Sequence, residues 1–252
     1  MKKHTLAIGM AGLITCFSSQ ADTLLGLYAG AQGWNMETTG GFSDDGSNIA
    51  FNFDDKTKSS FYVALEHPIP LVPNIKLQRT AMDTAGDVLV SASFTFGDEI
   101  FTADSTALSD VKLTSTDAIL YYEIFDNDLL SFDLGINAKY IDGELFVIDK
   151  NDPTNSGREA FSGVVPMAYS RIAIGIPATG LGAYVEGSFL SFDDQTLSDY
   201  QAAITYSLME NFAIDLTFQV GYRNVKLELD DLDGIYSNLE FKGAFAGLEV
   251  HF

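Results

Sequence analysis

The chain has 252 residues, of which 14 are Lys or Arg and 35 are Asp or Glu, so its net charge at pH 7 is −21. This acidity excludes a protein that binds the phosphate backbone of nucleic acids, because such binding requires a basic surface. Hydrophobic residues make up 46% of the chain and aromatic residues 12%, which is too rich for an acidic disordered protein.

The N-terminus has the pattern of a secretory signal peptide. A positive N-terminal region precedes a 13-residue apolar run, and a small-x-small cleavage site follows that ends at Ala21. We therefore predict a signal peptide over residues 1–21, which leaves residues 22–252 as the mature chain. Without the two lysines of the signal, 12 basic residues face 35 acidic ones, and the net charge becomes −23. The only cysteine, Cys16, lies in the signal, so the mature chain would have neither a disulfide nor thiol chemistry.

The mature chain repeatedly alternates apolar and polar residues with the two-residue period of β-strands. No apolar segment after the signal is long enough for a helical span. We predict ten strands, at about residues 23–34, 60–66, 75 onward, up to 124, 130–140, 166–176, 181–189, 200–208, 212–223 and 243–252. Residues 83–110 are ambiguous, and one interpretation of the alternation over Val88–Phe96 is an extension above the membrane. Ten strands give the even count of a transmembrane, antiparallel, up-and-down β-barrel, so we predict a single outer-membrane β-barrel domain over residues 22–252.

The connections between these strands alternate in length. One set is short or compact, at residues 68–73, 177–180 and 209–211, and the other is long and polar, at residues 35–59, 140–159, 193–198 and 230–237. Short periplasmic turns and long extracellular loops are typical of outer-membrane barrels, whereas the alternative, a secreted β-sandwich, would not segregate its loops in this way. Aromatic residues near the predicted strand ends suggest interfacial girdles. These are Tyr28, Trp34, Tyr122, Tyr140, Tyr200, Tyr206, Phe212, Tyr222 and Phe252.

The last ten residues alternate as far as a terminal aromatic residue. This segment resembles the terminal strand of bacterial outer-membrane β-barrels, and Gly247, Val250 and Phe252 match that pattern. The resemblance implies recognition by the barrel-assembly machinery and contact with outer-membrane lipid and lipopolysaccharide. As a whole, the chain resembles a family of small outer-membrane β-barrel proteins without assigned activity. It is also distantly similar to OmpW-type barrels, which are thought to pass small hydrophobic molecules.

Charged residues fall on the predicted inner face of the barrel. We predict a lumen charge network of Asp133, Arg171, Glu186, Asp215 and Arg223. If the turn at 177–180 is centred between its second and third residues, Arg171 lies opposite Glu186. The interior of a barrel of this size is largely filled by side chains, so we expect a narrow or plugged lumen.

Several apolar and aromatic residues share that inner face. Tyr121, Met167, Tyr169 and Tyr184 would either line a path for a small apolar ligand or simply fill the lumen.

Two residues fit the strand pattern badly. Arg79 falls on the lipid-facing parity, which predicts a bulge or a shifted strand, because a mid-plane Arg costs about 2–4 kcal/mol. Pro166 lacks the N–H that a ladder requires, so we place it near the outer rim.

The mature chain offers little for catalysis. Its two histidines, His67 and His251, both fall near predicted periplasmic ends, away from the long loops, so we predict no catalytic residues and no cofactor. The segment from Asp230 to Glu240 partly matches a calcium loop but lacks the first ligand, and we predict no specific metal site. The acidic loops could gather divalent cations that bridge to lipopolysaccharide.

These observations favour an integral outer-membrane barrel with a structural role, or a narrow conduit for small amphipathic solutes. The alternative is a surface adhesion or interaction protein that acts through its acidic extracellular loops. An outer-membrane enzyme is the least favoured reading, because of where the histidines fall.

Overall fold

The computed structural model describes residues 25–47, 49–127, 129–192, 195–209, 211, 214–232 and 235–252. The predicted signal peptide lies outside this part of the chain. The described residues form fourteen β-strands: β1 (Gly26–Ser43), β2 (Asn52–Phe53), β3 (Lys56–Glu66), β4 (Asn74–Ala81), β5 (Thr84–Leu89), β6 (Phe94–Phe96), β7 (Glu99–Phe101), β8 (Thr106–Asp126), β9 (Leu130–Asp149), β10 (Ser156–Ile176), β11 (Leu181–Phe192), β12 (Gln195–Met209), β13 (Asp215–Leu232) and β14 (Ile235–His251). Within the described ranges, no helix is long and apolar enough to cross a membrane.

Ten of these strands close into an antiparallel barrel. The order β1-β3-β4-β8-β9-β10-β11-β12-β13-β14 returns to β1 through a ladder from Tyr28, opposite His251, to Ser43, opposite Tyr236. The predicted ten-strand barrel is therefore confirmed. Both described chain ends lie at one rim together with the short turns, and we call this rim the turn end. We call the opposite rim the loop end.

The register of the β10–β11 hairpin follows from its tight turn. Ala178 and Gly180 both have positive φ, at 64° and 70°, and they reverse the chain within four residues. Ile176 then lies opposite Leu181, and Arg171 lies opposite Glu186, which is the register that the turn position predicts.

The outer face of the barrel carries an apolar belt. Its exposed members come from nine strands and include Leu27, Phe61, Val63, Leu77, Leu134, Ile136, Ile172, Ile174, Val185, Phe189, Ile204, Phe218, Val220 and Leu248. Exposed aromatic residues flank the belt on both sides, with Tyr140, Tyr200 and Tyr222 toward the loop end and Tyr122, Tyr206 and Phe252 toward the turn end. This arrangement matches a lipid-facing band between two aromatic girdles.

Two residues predicted for the girdles lie inside the barrel instead. Trp34 is 1% exposed and donates from Nε1 to the Gly243 carbonyl at 3.2 Å. Tyr28 stacks on His251, with the ring centroids 4.2 Å apart. Both are among the residues of β1 whose side chains point inward. The strand itself continues to Ser43 rather than ending at Trp34. The predicted girdle residue Phe212 lies outside the described residues.

Most of the predicted long loops are strand. β9 and β10 extend beyond the belt, so their connection is residues 150–155 rather than 140–159. The segment was predicted to be a loop because its outward side chains, such as Asp142, are polar. Its inward side chains Ile141, Leu145 and Val147 remain buried, however, and they preserve the two-residue period.

The extended strands enclose an apolar cluster, which we call the loop-end core. Beyond Trp34, its fully buried members include Met36, Phe42, Val90, Phe94, Phe96, Phe101, Val111, Leu145, Leu239 and Phe241. The ambiguous segment 83–110 supplies β5 and the β6–β7 hairpin, so it does form an extension above the belt. The Phe42 and Phe96 rings lie 5.1 Å apart, as do those of Phe94 and Phe101.

Two acidic residues of the predicted loop at 35–59, Asp44 and Asp45, anchor this hairpin. Gly97 N donates to Asp44 Oδ2 at 2.6 Å, and Thr95 N donates to Asp45 Oδ2 at 3.0 Å. Residues 193 and 194, in the predicted loop at 193–198, lie outside the described residues.

The two misfitting residues lie where the ladders permit them. β4 runs in continuous register against both neighbours, so the bulge predicted at Arg79 is wrong. The exposed Arg79 side chain donates to Thr116 Oγ1 at 3.3 Å, beside the girdle residue Tyr140. Pro166 lies beyond the β10–β11 ladder, which starts at Ala168, so a missing N–H is tolerated there.

We expect Phe96→Ala to loosen the loop-end core while the barrel remains closed. Phe96 is fully buried, and such a truncation costs about 3–5 kcal/mol. Trypsin should then cut the loop end, for instance after Arg158, faster than in the parent protein. The matched control is Ile100→Ala on the neighbouring strand β7, because Ile100 is 61% exposed. Equal cleavage rates in the two variants would contradict the packing described here.

Candidate functional site: the barrel lumen

The inward side chains divide the lumen into levels. A cavity opens at the turn end, two layers of charged residues lie above it, and the loop-end core closes the opposite end. We call these layers the lower and the upper charge layer, and we call the cavity the vestibule. Each level follows from the parity of the strands, which directs every second side chain inward.

The upper charge layer contains two cations and two carboxylates, so its net charge is zero. Lys139 Nζ lies 2.6 Å from Asp117 Oδ1 and 2.9 Å from Asp199 Oδ2. Arg223 binds Asp199 in a bidentate manner, from Nε at 2.9 Å and Nη2 at 2.8 Å. Lys139 is 1% exposed, so it is held almost entirely by these protein partners.

Neutral polar groups complete the upper charge layer. Asn137 Nδ2 donates to Asp117 Oδ1 at 2.6 Å, and Arg223 Nη1 donates to Thr80 Oγ1 at 3.1 Å. The Arg223 guanidinium carbon lies 5.3 Å from the Trp34 ring, where the loop-end core begins. The layer thus spans the lumen from β4 to β13.

The lower charge layer is also neutral. Lys76 Nζ donates to Glu186 Oε1 at 2.7 Å. Arg171 lies between two carboxylates, 3.6 Å from Glu186 Oε2 and 3.7 Å from Asp133 Oδ2. Each cation also lies over an aromatic ring, Lys76 at 4.7 Å from the centroid of Tyr62 and Arg171 at 5.3 Å from that of Tyr184.

A chain of amides and hydroxyls joins the lower charge layer across the lumen. Gln201 Nε2 donates to Glu186 Oε1 at 3.2 Å, and Tyr184 OH donates to Gln219 Oε1 at 2.6 Å. Gln219 Nε2 donates to Tyr62 OH at 3.1 Å, and Tyr62 OH donates to Glu249 Oε2 at 2.6 Å. The chain therefore runs from β11 and β12 to β3 and β14.

The vestibule has a volume of about 820 Å³ and is lined by tyrosines and carboxylates. Tyr121 OH donates to Glu66 Oε1 at 2.7 Å on its wall, and His251 lies at its mouth. Above it, between the two charge layers, the void is only about 20 Å³, which is enough for about one water molecule. In this structure the lumen is therefore a cup that opens at the turn end.

The predicted charge residues belong to different levels. Asp133, Arg171 and Glu186 meet in the lower charge layer, and Arg223 belongs to the upper one. Asp215 was predicted to join them but lies apart, at the rim, with Oδ2 3.4 Å from His251 Nδ1. Its inward parity is correct, but its position at the first residue of β13 keeps it out of the layers.

The predicted ligand path is interrupted. Tyr121, Tyr169 and Tyr184 line the vestibule, and the first two rings lie 5.9 Å apart. Met167, by contrast, does not line the vestibule: it is buried opposite Asn137 of the upper charge layer. These four residues therefore do not form one continuous passage.

The predicted network lacked four residues that hold the charge layers, namely Lys76, Asp117, Lys139 and Asp199. Lys76 and Asp117 lie on the inward parity of β4 and β8, and this parity could have identified them. Asp199 was placed at a loop boundary because the predicted strand began one residue later, at Tyr200.

The residues that match the terminal-strand pattern lie on β14 and at its end. Gly247 faces inward opposite Gln32 of β1, and a Cβ there would lie 2.6 Å from the Ala31 carbonyl oxygen. Val250 lies opposite Leu216 on the outer parity, and Phe252 is exposed at the turn end. Both predicted periplasmic histidines also lie at this end. In the described part of the chain, no three His, Cys, Asp or Glu residues are placed to hold a metal ion.

We expect Lys139→Met to destabilise the barrel strongly. The substitution leaves Asp117 and Asp199 buried with one cation fewer, and breaking a buried pair in this way costs about 3–5 kcal/mol. Urea unfolding in lipid vesicles, followed by fluorescence of the single tryptophan, Trp34, would measure the loss. The control Lys112→Met removes an exposed partner of Glu144 and should shift the midpoint little. Equal shifts would argue against a structural role for the upper charge layer.

The chain matches no protein-family model and no curated protein. Among solved structures it is similar to the transport unit of the autotransporter AIDA-I from Escherichia coli, with 8% identity over 93% of both chains and a TM-score of 0.41. It is also similar to the Pseudomonas putida toluene transporter TodX (7% identity, 90% of this chain, 89% of that chain, TM-score 0.30) and to a Pseudomonas aeruginosa FadL homologue (10% identity, 90% and 89%, TM-score 0.27). These three are outer-membrane β-barrels. The closed ladder and the apolar belt, rather than these distant similarities, give the chain the fold of an outer-membrane β-barrel.

Proposed function

We propose that this chain is an integral outer-membrane protein with a structural role, and that its lumen is closed to solutes in the resting state. The belt supports the membrane assignment, because leucine, isoleucine, valine and phenylalanine cover the outside of a ladder with no free edge across the belt. A sheet of this kind satisfies its backbone groups without water, as the interior of a bilayer demands.

The orientation follows from the two rims. Short turns face the periplasm in this class, so we place the turn end and the vestibule there and the loop end outside the cell. The signal peptide and the terminal strand with Gly247, Val250 and Phe252 fit this placement, with the barrel-assembly machinery and the surrounding lipid as partners. Divalent cations bridging exposed acidic side chains to lipopolysaccharide are part of the same proposal.

The observation that carries the structural role is the filling of the lumen. A solute would have to separate Lys139 from Asp117 and Asp199 and then displace the loop-end core. Uncovering buried charges costs several kcal/mol for each ion, which disfavours spontaneous opening. A narrow conduit for amphipathic solutes therefore requires a rearranged state, and we rank it below the structural role.

A second candidate is interaction at the cell surface. The observation that favours it is the ordered extension of β8, β9 and β10 beyond the belt, which would present polar side chains such as Asp142 and Glu144 outside the cell. We propose no enzymatic activity, because His67 and His251 both lie at the turn end, far from this extension.

We expect the mature protein to partition with the outer-membrane fraction and to migrate faster on gels unless it is boiled. The physical reason is that the closed ladder and the apolar belt need lipid or detergent around them. Cell fractionation and gel migration with and without heating would check this. Recovery as a soluble periplasmic protein would refute the membrane assignment.

In planar bilayers we expect the folded protein to conduct no measurable ionic current, because both charge layers and the loop-end core fill the lumen. A porin of known conductance in the same chamber would serve as the positive control. Lys139→Ala combined with Arg223→Ala would remove both cations of the upper charge layer, and any currents should appear first in this variant if it folds. Discrete, reproducible current steps recorded from the parent protein would contradict the structural role and support a conduit instead.

A further inference from the structure

We propose that the vestibule is a binding site for an organic cation that carries more than one ammonium group, of the linear polyamine type. The volume of about 820 Å³ lies within the range of small-molecule sites. The cavity is closed above by the lower charge layer, so a ligand that enters at the turn end would be held rather than passed on.

The charge of the vestibule selects a cation. Two cationic side chains line it, Lys76 and Arg171, and both already bind carboxylates of the lower charge layer. Six carboxylates line it: Glu66, Glu123, Asp126, Asp133, Glu186 and Glu249. The Lys, Arg, Asp and Glu side chains of the lining therefore carry a formal net charge of −4, and walls of low dielectric strengthen their field on an entering cation.

Two buried oxygens in the lining lack a hydrogen-bond donor. Asp133 Oδ1 and Gln201 Oε1 have no partner among the described residues, although Asp133 is only 3% exposed and Gln201 only 4%. Arg171 approaches the other oxygen of Asp133, and only at 3.7 Å. Buried acceptors without a donor are costly, so a ligand with N–H groups would be stabilised by satisfying them once these side chains turn toward the vestibule.

Aromatic faces add to this preference. Five tyrosines line the vestibule, namely Tyr28, Tyr62, Tyr121, Tyr169 and Tyr184. The protein already holds Lys76 over Tyr62 and Arg171 over Tyr184, so the same kind of surface attracts cationic groups within this lumen.

The spacing of the acceptors favours an extended ligand over a single ion. The carboxylates come from strands around the whole barrel, with Glu66 on β3, Asp133 on β9 and Glu249 on β14. One metal ion would contact only a few of them. A flexible chain with several ammonium groups would reach carboxylates on several strands and the mouth at once, and charge-assisted hydrogen bonds would hold each group.

Isothermal titration of spermidine into the folded, full mature chain in neutral detergent micelles tests the proposal. We expect saturable binding of one spermidine per protein. Asp133→Asn should weaken it about tenfold, because one charge-assisted hydrogen bond to the ligand is lost. The matched control is Asp142→Asn, which removes an exposed charge on the opposite face of the same strand and should leave the affinity unchanged.

Glu123→Gln, at the exposed mouth, provides a second variant that decides the question if Asp133→Asn does not fold, and it should weaken binding in the same direction. MgCl₂ at matched ionic strength should not displace spermidine. The absence of saturable binding, an equal loss in the Asp142→Asn control, or equal competition by Mg²⁺ would each overturn the proposal. Because the titration is done in micelles, its failure would leave the proposed structural role in the membrane intact.

Discussion

The structure depends on one constraint, which is that a sheet inside a bilayer must pair every backbone N–H and C=O within itself. β1 meets this demand by pairing with β14 from Tyr28 to Ser43. Once the ladder is closed, every second side chain must face lipid and every other one must face a narrow interior. The apolar belt and the crowded lumen are two consequences of the same closure.

Closure also explains why the charges of the lumen occur in neutral groups. A charge in a narrow, largely dry interior is tolerated only with a partner of opposite sign. Lys139 and Arg223 are balanced by Asp117 and Asp199, and the lower charge layer is balanced in the same way. The vestibule departs from this rule with an excess of carboxylates, and it is also where the lumen meets solvent. Excess charge thus accumulates only where water or a ligand can reach it.

Beyond the belt the barrel behaves like a soluble β protein. The strands keep their inward apolar parity, but their outward side chains become polar, as Asp142 and Glu144 show on β9. The β6–β7 hairpin completes this part by packing Phe94, Phe96 and Phe101 into the loop-end core. One continuous sheet therefore builds two parts, a barrel with an apolar outer face and an extension with a polar outer face around an apolar core. This core covers the opening of the barrel.

The sequence by itself determined the alternation of faces, the number of barrel strands and the register of the β10–β11 hairpin, because these depend on neighbours along the chain and on one tight turn. It did not determine where the strands end, because beyond the belt the outward residues are polar and resemble a loop. For the same reason Trp34 was predicted at a strand end in the girdle, whereas it lies in the lumen. Only the tertiary structure decided which inward residues meet. Lys139 on β9 reaches Asp199 on β12 across the lumen. Such contacts depend on the stagger and diameter of the closed barrel and on side-chain length, and no local period in the sequence encodes these quantities.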